Sequence, residues 1–381
     1  MRIESKLPRV GTTIFTVMSQ LAALHQAINL GQGFPDFECP ELLRDALARA
    51  VREGKNQYSA MAGIPRLREL IAEKTLQLYG RPVDADSEVT VTSGATEALF
   101  DAIAALVRPG DEVIVLDPCY DCYEPAIEVN GGRAVHVPLA LPDFAVDWSA
   151  IEAACGPGTR AIIVNSPHNP SGSVFSGDDL NALAEVARRH DLMVISDEVY
   201  EHIIFDGLSH QSVLLHPELA ERSFVISSFG KTYHCTGWKV GYCIAPAALS
   251  AEFRKVHQYT TFCTFQPAQW AIAEMLEQDP SHYRNLPAFY QDKRDRFRAL
   301  LAGSRFKLLP VSGAYFQVVD YSQISDRDDH SFCEWLTEEV GVAAIPVSAF
   351  YEVPPDTRLI RLCFAKTEAT MVAAAERLCR A

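Results

Sequence analysis

Between residues 88 and 246 the chain alternates seven short apolar, β-branched runs with stretches of helical periodicity, a rhythm that few folds accept. The runs cover residues 88–92, 112–116, 134–137, 160–164, 192–195, 223–227 and 241–244. Two intervening segments, 97–107 and 178–190, space their apolar residues as helices do, and Ser176 stands where it can cap the free amides of the second. Such alternation predicts an α/β fold, with a mainly parallel, seven-stranded-type sheet sandwiched by helices. After residue 246 the pattern changes to long helical segments, 250–278 and 286–302, followed by two short strands at 313–319 and 358–364. We therefore expect a large cofactor-binding domain over 41–285 and a smaller α+β domain assembled from 1–40 and 286–381. There is no internal repeat, low-complexity tract or obvious flexible linker, so the two parts are expected to pack tightly.

Composition narrows the function classes. With 48% apolar and 22% charged residues, the chain is neither disordered nor collagen-like. No apolar run approaches the roughly 18 residues that cross a bilayer, and the first thirty residues lack a signal-peptide pattern. The expectation is a cytoplasmic protein with no membrane partner. Forty-nine acidic against 34 basic residues, a formal charge of −15, argue against a nucleic-acid partner. The ten cysteines are scattered, which argues against a disulfide framework. Cys119 and Cys122 form a lone C-x-x-C without a second pair or a histidine at metal spacing, so no metal is expected.

In α/β folds ligands gather at the carboxyl ends of parallel strands, so the polar residues that follow each run are the candidates. After Val91 the segment 92–97 reads Thr-Ser-Gly-Ala-Thr-Glu and opens a helix. Its free amides and helix dipole, with Ser93 and Thr96 as further donors, offer a phosphate seat; the same residues would serve equally as plain caps. After Val164, residues 165–172 read Asn-Ser-Pro-His-Asn-Pro-Ser-Gly, a rigid polar turn able to hold an amide at a fixed angle. Asp197 lies just past an apolar strand, where a carboxylate normally has a cationic partner, and Tyr200 can reach the same site. Among nine lysines, Lys231 is the one that directly follows a buried-strand pattern through a serine and glycine turn. Desolvation there would lower its pKa and leave a neutral amine able to form a Schiff base, the ordinary alternative being a salt-bridged or snorkelling lysine. Taken together, a phosphate seat, an amide turn, a strand-end Asp, a Tyr and such a Lys match what pyridoxal phosphate requires.

At this point the sequence resembles the fold-type I, class I and II aminotransferase family. The resemblance is carried by Asn29-Leu-Gly-Gln-Gly-Phe-Pro-Asp36, Asn169-Pro-Ser-Gly172, Asp197-Glu-Val-Tyr200, Ser228-Phe-Gly-Lys231 and Gly237-Trp-Lys-Val-Gly241, and with Arg361 it covers nearly the whole chain. It implies pyridoxal 5'-phosphate bound as an internal aldimine to Lys231, which also shuttles protons. Asp197 would pair with the pyridine nitrogen, and Asn169 and Tyr200 would hydrogen-bond the phenolic oxygen. Ser93, Gly94, Ala95, Ser228 and Lys239 would hold the phosphate, and Tyr120 would stack on the ring. Arg361 would clamp the substrate carboxylate. Gly33, Asn169, Tyr259 and Phe262 would complete the substrate site. The family's active sites lie at a dimer interface, so a homodimer with shared sites is implied, Tyr58 reaching the neighbouring subunit's phosphate.

Two departures point away from the aspartate branch: Lys239 stands where its members carry Arg, and Tyr120 where they carry Trp. Residues 31–36 and Val256-His257-Gln258-Tyr259 look instead like the methionine and kynurenine-type subgroup. The resemblance therefore implies ping-pong transfer of an amino group from methionine or another uncharged or aromatic L-amino acid to a 2-oxo acid. A kynurenine–2-oxoglutarate transaminase, or a β-eliminating C–S lyase acting on cysteine S-conjugates, would use the same cofactor chemistry. A cofactor-binding regulator without turnover is disfavoured by the acidic charge and by the short stretch before the first family-like helix. No arginine lies between Arg254 and Arg284, an interval that holds Tyr259, Phe262 and Phe265. That aromatic wall would leave a second substrate carboxylate unpaired, unless the rings merely pack in a helix core.

Overall fold

In the computed structural model, which describes residues 3–381, each of the seven apolar runs becomes a strand of one sheet. Numbered after a two-residue β1 (Ile28–Asn29), they are β2 (Val89–Thr92), β3 (Glu112–Asp117), β4 (Arg133–Pro138), β5 (Thr159–Asn165), β6 (Met193–Asp197), β7 (Ser223–Ser228) and β8 (Gly241–Ile244). The spatial order is β2-β8-β7-β6-β5-β3-β4, and β8 runs antiparallel to both of its neighbours while the other pairs are parallel. Every residue of β2 and β8 is buried, as are all but one of β5. Strands covered by helices on both faces need apolar residues on both, which is why these runs are continuous rather than alternating.

The helices form where their caps allow. Gly177–Arg189 starts at Ser176, whose hydroxyl accepts from the Asp179 amide at 3.2 Å while the Asp179 carboxylate accepts from the Ser176 amide at 2.8 Å. Two boundaries differ from expectation. The segment 250–278 is two helices, Ala247–Thr260 and Gln266–Gln278, because Phe262 adopts φ +74° and Pro267 opens the second helix, where its missing N–H costs nothing. The next helix, Ser281–Leu301, begins five residues earlier than expected and runs through Pro287, anchored by buried Tyr283 and Leu286.

The rest of the chain builds a second sheet. Here β9 (Lys307–Leu308), β10 (Phe316–Asp320), β12 (Ile345–Pro346) and β13 (Leu359–Cys363) pair antiparallel in the order β12-β13-β10-β9. β11 (Val342–Ala343) pairs in parallel with β1, and the Cys363 amide donates to the Leu30 carbonyl at 2.7 Å. The N-terminal segment is thereby tied to the C-terminal third. The polar turn after β5 meets this part of the chain at Gly172, whose carbonyl accepts from the amides of Ser312 and Gly313 at 3.0 and 2.8 Å. Of the four strands in this sheet, sequence reading anticipated β10 and β13; β9 and β12, two residues each, are too short to show a period.

Candidate active site

The carboxyl ends of β2, β5, β6 and β7 open onto a cavity of about 440 Å³, closed on the other side by residues 32–34, Phe316 and Arg361. After β2, Gly94 adopts φ +81° and leads into the helix Ala95–Leu106. The Ser93 amide donates to the Glu97 carboxylate and the Gly94 amide to the Thr92 carbonyl at 2.8 Å. The amides of Ala95 and Thr96 at the helix start have no acceptor within the chain, and both residues line the cavity. A Cβ at position 94 would sit 3.1 Å from Lys239 Nζ, so glycine serves both the positive φ and the approach of that ammonium. Ser228, at the end of β7, and Thr236 add hydroxyls to this wall. The donors Ala95 N, Thr96 N, Lys239 and the two hydroxyls form an anion cradle. Ser93 is not on the lining; its hydroxyl lies 3.4 Å from that of Thr264.

Asp197 ends β6, and its nearest partner is a hydroxyl rather than a cation. Tyr123 donates to its Oδ2 at 2.7 Å, and the Val199 amide to its Oδ1 at 3.3 Å. Burial pushes the carboxyl up to about 6, opposed by the hydrogen bond from Tyr123. A carboxylate so held favours a cationic partner from the cavity side. In the neighbouring strand, Asn165 braces the polar turn: its Nδ2 donates to the Asp197 carbonyl at 2.8 Å and its Oδ1 accepts from the Asn169 amide at 2.8 Å. Asn169 in turn accepts from Arg361 Nη1 at 2.8 Å, leaving its own amide hydrogens for the cavity. Arg361 Nη2 donates to the Gly31 carbonyl at 2.6 Å, its plane lies 4.0 Å from the Phe316 ring centroid, and its Nε is buried without a partner. Those unspent, fixed donors suit a carboxylate.

Lys231 projects from the turn after β7. Its Nζ donates to the Tyr315 hydroxyl at 2.9 Å and to the Gly33 carbonyl at 3.2 Å, and burial lowers its pKa to about 8. Its Nζ lies 5.5 Å from the Tyr200 ring centroid, and Tyr200 and Tyr120 both line the cavity. The structure thus brings together Gly33, Gly94, Ala95, Tyr120, Asn169, Asp197, Tyr200, Ser228, Lys231, Lys239 and Arg361. It does not bring in Tyr58, Tyr259 and Phe262. These are exposed on the surface, Tyr58 and Phe262 meeting edge to face at 5.4 Å. The apolar wall of the cavity is instead made by Phe15, Phe34 and Phe316, with Asp121 adding a carboxylate beside Arg361. Tyr123, Tyr315, Phe15, Phe316 and Asp121 carry no strand-end or motif signal of their own, and Asn165 and Phe34 stood out only as members of the segments 165–172 and 29–36.

Beneath the anion cradle, Glu97 also holds His257, whose Nδ1 lies 2.6 Å from Oε1 while its Nε2 donates to the Met61 carbonyl at 2.9 Å. Burial opposes charge on this imidazole, but Asp101 and Glu97 outweigh it and raise its pKa to about 10.

The model of the family described as Aminotransferase class I and II matches residues 25–378. A methionine aminotransferase of Escherichia coli (strain K12) is 57% identical over 375 residues, 98% of this chain and 97% of its own. The crystal structure of YbdL from Escherichia coli, described with a methionine aminotransferase function, has a TM-score of 0.98 to this chain at 56% identity and full coverage of both. Kynurenine–oxoglutarate transaminase 1 of Homo sapiens is 36% identical, covering 94% of this chain and 93% of its own.

Proposed function

The chain belongs to the class I and II aminotransferases and is a pyridoxal-phosphate-dependent transaminase; from that premise we propose that its amino donor is methionine or another long, uncharged or aromatic L-amino acid. The observation that carries this reading is the set of cations on the cavity lining. Lys231, Lys239 and Arg361 are the only ones among the described residues. On the reading below each has a task, so a second substrate carboxylate would meet Phe15, Phe34, Phe316 and Asp121 instead. Leaving that charge unpaired in a dry pocket costs several kcal/mol, a discrimination of about a hundredfold or more. The likeness to a methionine aminotransferase supports the same choice, and the likeness to a kynurenine transaminase supports aromatic donors within it.

The residues present fit the cofactor: an anion cradle at one end, a buried carboxylate at the other, and a desolvated amine beside the Tyr315 hydroxyl. When bound, pyridoxal phosphate supplies an electron sink for the bonds at the substrate Cα. Ala95 and Thr96 amides, Ser228 and Lys239 would hold its phosphate. Asp197, fixed by Tyr123, would pair with its ring nitrogen. Asn169 and Tyr200 would hydrogen-bond its phenolic oxygen, and Tyr120 would stack on its ring. Arg361, its plane locked by Asn169 and the Gly31 carbonyl, orients the substrate α-carboxylate. Lys231 takes the proton from Cα and returns it, a role that requires the neutral amine its burial favours.

We further infer a homodimer: Tyr58 and Phe262, which meet edge to face, and Tyr259 and Phe265, three residues to either side of Phe262 in the chain, are all exposed, as aromatic residues are where a second copy covers them. The ten unpaired thiols suit a reducing compartment such as the cytoplasm. Half-reaction rates of the purified holoenzyme across a panel of amino acids test the donor. The expected result is an efficiency for methionine or an aromatic amino acid about a hundredfold above that for aspartate, with a 2-oxo acid that retains the side chain. Comparable efficiency for aspartate refutes the donor assignment, and pyruvate with a released thiol from cysteine S-conjugates would mark a β-lyase.

A further inference from the structure

The hydroxyl of Tyr315 lies between two groups that the chain brings from far apart. It accepts a hydrogen bond from Lys231 Nζ at 2.9 Å and donates its own proton to the Gly33 carbonyl at 2.6 Å. A carbonyl only accepts, so the direction of the second bond is fixed, and with it the first: Tyr315 turns a lone pair toward Lys231. Lys231 Nζ also donates to the Gly33 carbonyl at 3.2 Å. A neutral amine has two N–H bonds, and both are thereby spent on the side of Gly33 and Tyr315.

The arrangement is rigid. Tyr315 is fully buried, its ring packed at 4.9 to 5.7 Å from those of Phe316, Tyr200 and Tyr290, so the hydroxyl has no room to swing. A Cβ at Gly33 would lie 2.9 Å from Phe316 Cζ, so a larger residue there would have to displace that ring. We propose that Tyr315 is a positioning residue for Lys231: with the Gly33 carbonyl it forms a two-acceptor rest that holds the ε-amine, whenever it is not covalently engaged, with its lone pair turned to the cavity. The inference rests on the reading of Lys231 as the cofactor lysine. It adds that the amine on the large sheet is oriented by the N-terminal segment and by the residue before β10, so it depends on how these two segments dock. Two acceptors also stabilise the ammonium, so the rest opposes the lowering that burial imposes on Lys231.

The test uses the apoprotein and no cofactor. Lys231 is acetylated by trace acetic anhydride at a series of pH values, and the modified peptide is quantified by mass spectrometry. In Tyr315→Phe, which keeps the ring, the midpoint of the pH profile is expected to fall by about one unit, because the ammonium loses an acceptor. The limiting rate at high pH is expected to drop about fivefold, because the lone pair is no longer aimed. Tyr290→Phe removes a hydroxyl bonded to His234 at 3.0 Å rather than to Lys231, and its profile is expected to match the wild type. If Tyr315→Phe proves unstable, site-specific 4-fluorophenylalanine at 315 keeps the shape of the side chain without an ionisable hydroxyl, and the same downward shift is expected. An unchanged midpoint or limiting rate, or changes that Tyr290→Phe reproduces, overturn the proposal. Failure of pyridoxal phosphate to attach to Lys231 in the wild type would instead overturn the cofactor reading, while the titration of the free amine would stand.

Discussion

At the carboxyl ends of the large sheet Asp197 is 4% exposed, and Arg361, facing it from β13, 1%; among the surface aromatics Tyr58 and Tyr259 are 82% and 86% exposed. Both sets were singled out from the sequence, yet one is enclosed and the other open. The difference is one of obligation. A buried charge must find its partners within the chain, so Tyr123, Asn169 and the Gly31 carbonyl are fixed around Asp197 and Arg361. An exposed aromatic ring carries no such demand, and its partner can come from another molecule. The contrast is sharpest within one helix, where His257 is 0% exposed and Tyr259, two residues on, lies in solvent.

The strongest way to break this comparison is Asp197→Ala. If the enclosed carboxylate holds the ring nitrogen protonated, its removal should lower kcat by about a thousandfold or more, equivalent to at least roughly 4 kcal/mol, with the fold retained by circular dichroism. Near-normal turnover would show that enclosure at the strand ends does not mark the chemistry.

Next in size is His257→Ala, which leaves Glu97 and Asp101 uncompensated in the interior and should cost about 3 kcal/mol in urea unfolding. The folded pKa of about 10 lies above the ordinary histidine value. The stability it adds is therefore fully present below about pH 6.5 and is lost as pH rises through about 10, so the gap between wild type and variant should close toward alkaline pH. A gap that widens with pH would mean that His257 is held neutral.

A smaller effect concerns the enclosed amine. With Lys231 at about 8, capture of pyridoxal phosphate by the apoprotein, followed by absorbance, should accelerate about fiftyfold between pH 6 and pH 8 and then level off. A flat profile across that range would place the attacking amine elsewhere. The smallest effect on the fold belongs to the open set: Tyr259→Ala should move Tm by no more than about 2 °C. In sedimentation, however, the same change should weaken self-association, and a variant that remains fully dimeric would detach Tyr259 from the interface.

Legibility followed the same division. Strand ends announce themselves locally, since a buried parallel strand is a continuous apolar run and the polar residue that stops it lies at its edge; Asn165, Asp197 and Ser228 end their strands in this way. The phosphate seat was legible as a stretch but not by residue, because only the folded turn commits the Ser93 and Gly94 amides to Glu97 and Thr92 and leaves those of Ala95 and Thr96 free. The break at 261–265 was hidden because Pro267 at a helix start and Phe262 at positive φ leave the apolar spacing intact.

What the sequence determined by itself was the alternation of strands and helices, and hence which polar residues would share the sheet's edge. Only the tertiary structure decided how those residues are held. Tyr123 and Asp197 are 74 positions apart, Lys231 and Tyr315 are 84, and Lys231 and Gly33 are 198. Periodicity and turn chemistry act over a few residues, whereas contacts of this span form only when whole elements dock, and which hydroxyl then meets which carboxylate or amine is set by packing that no local pattern encodes.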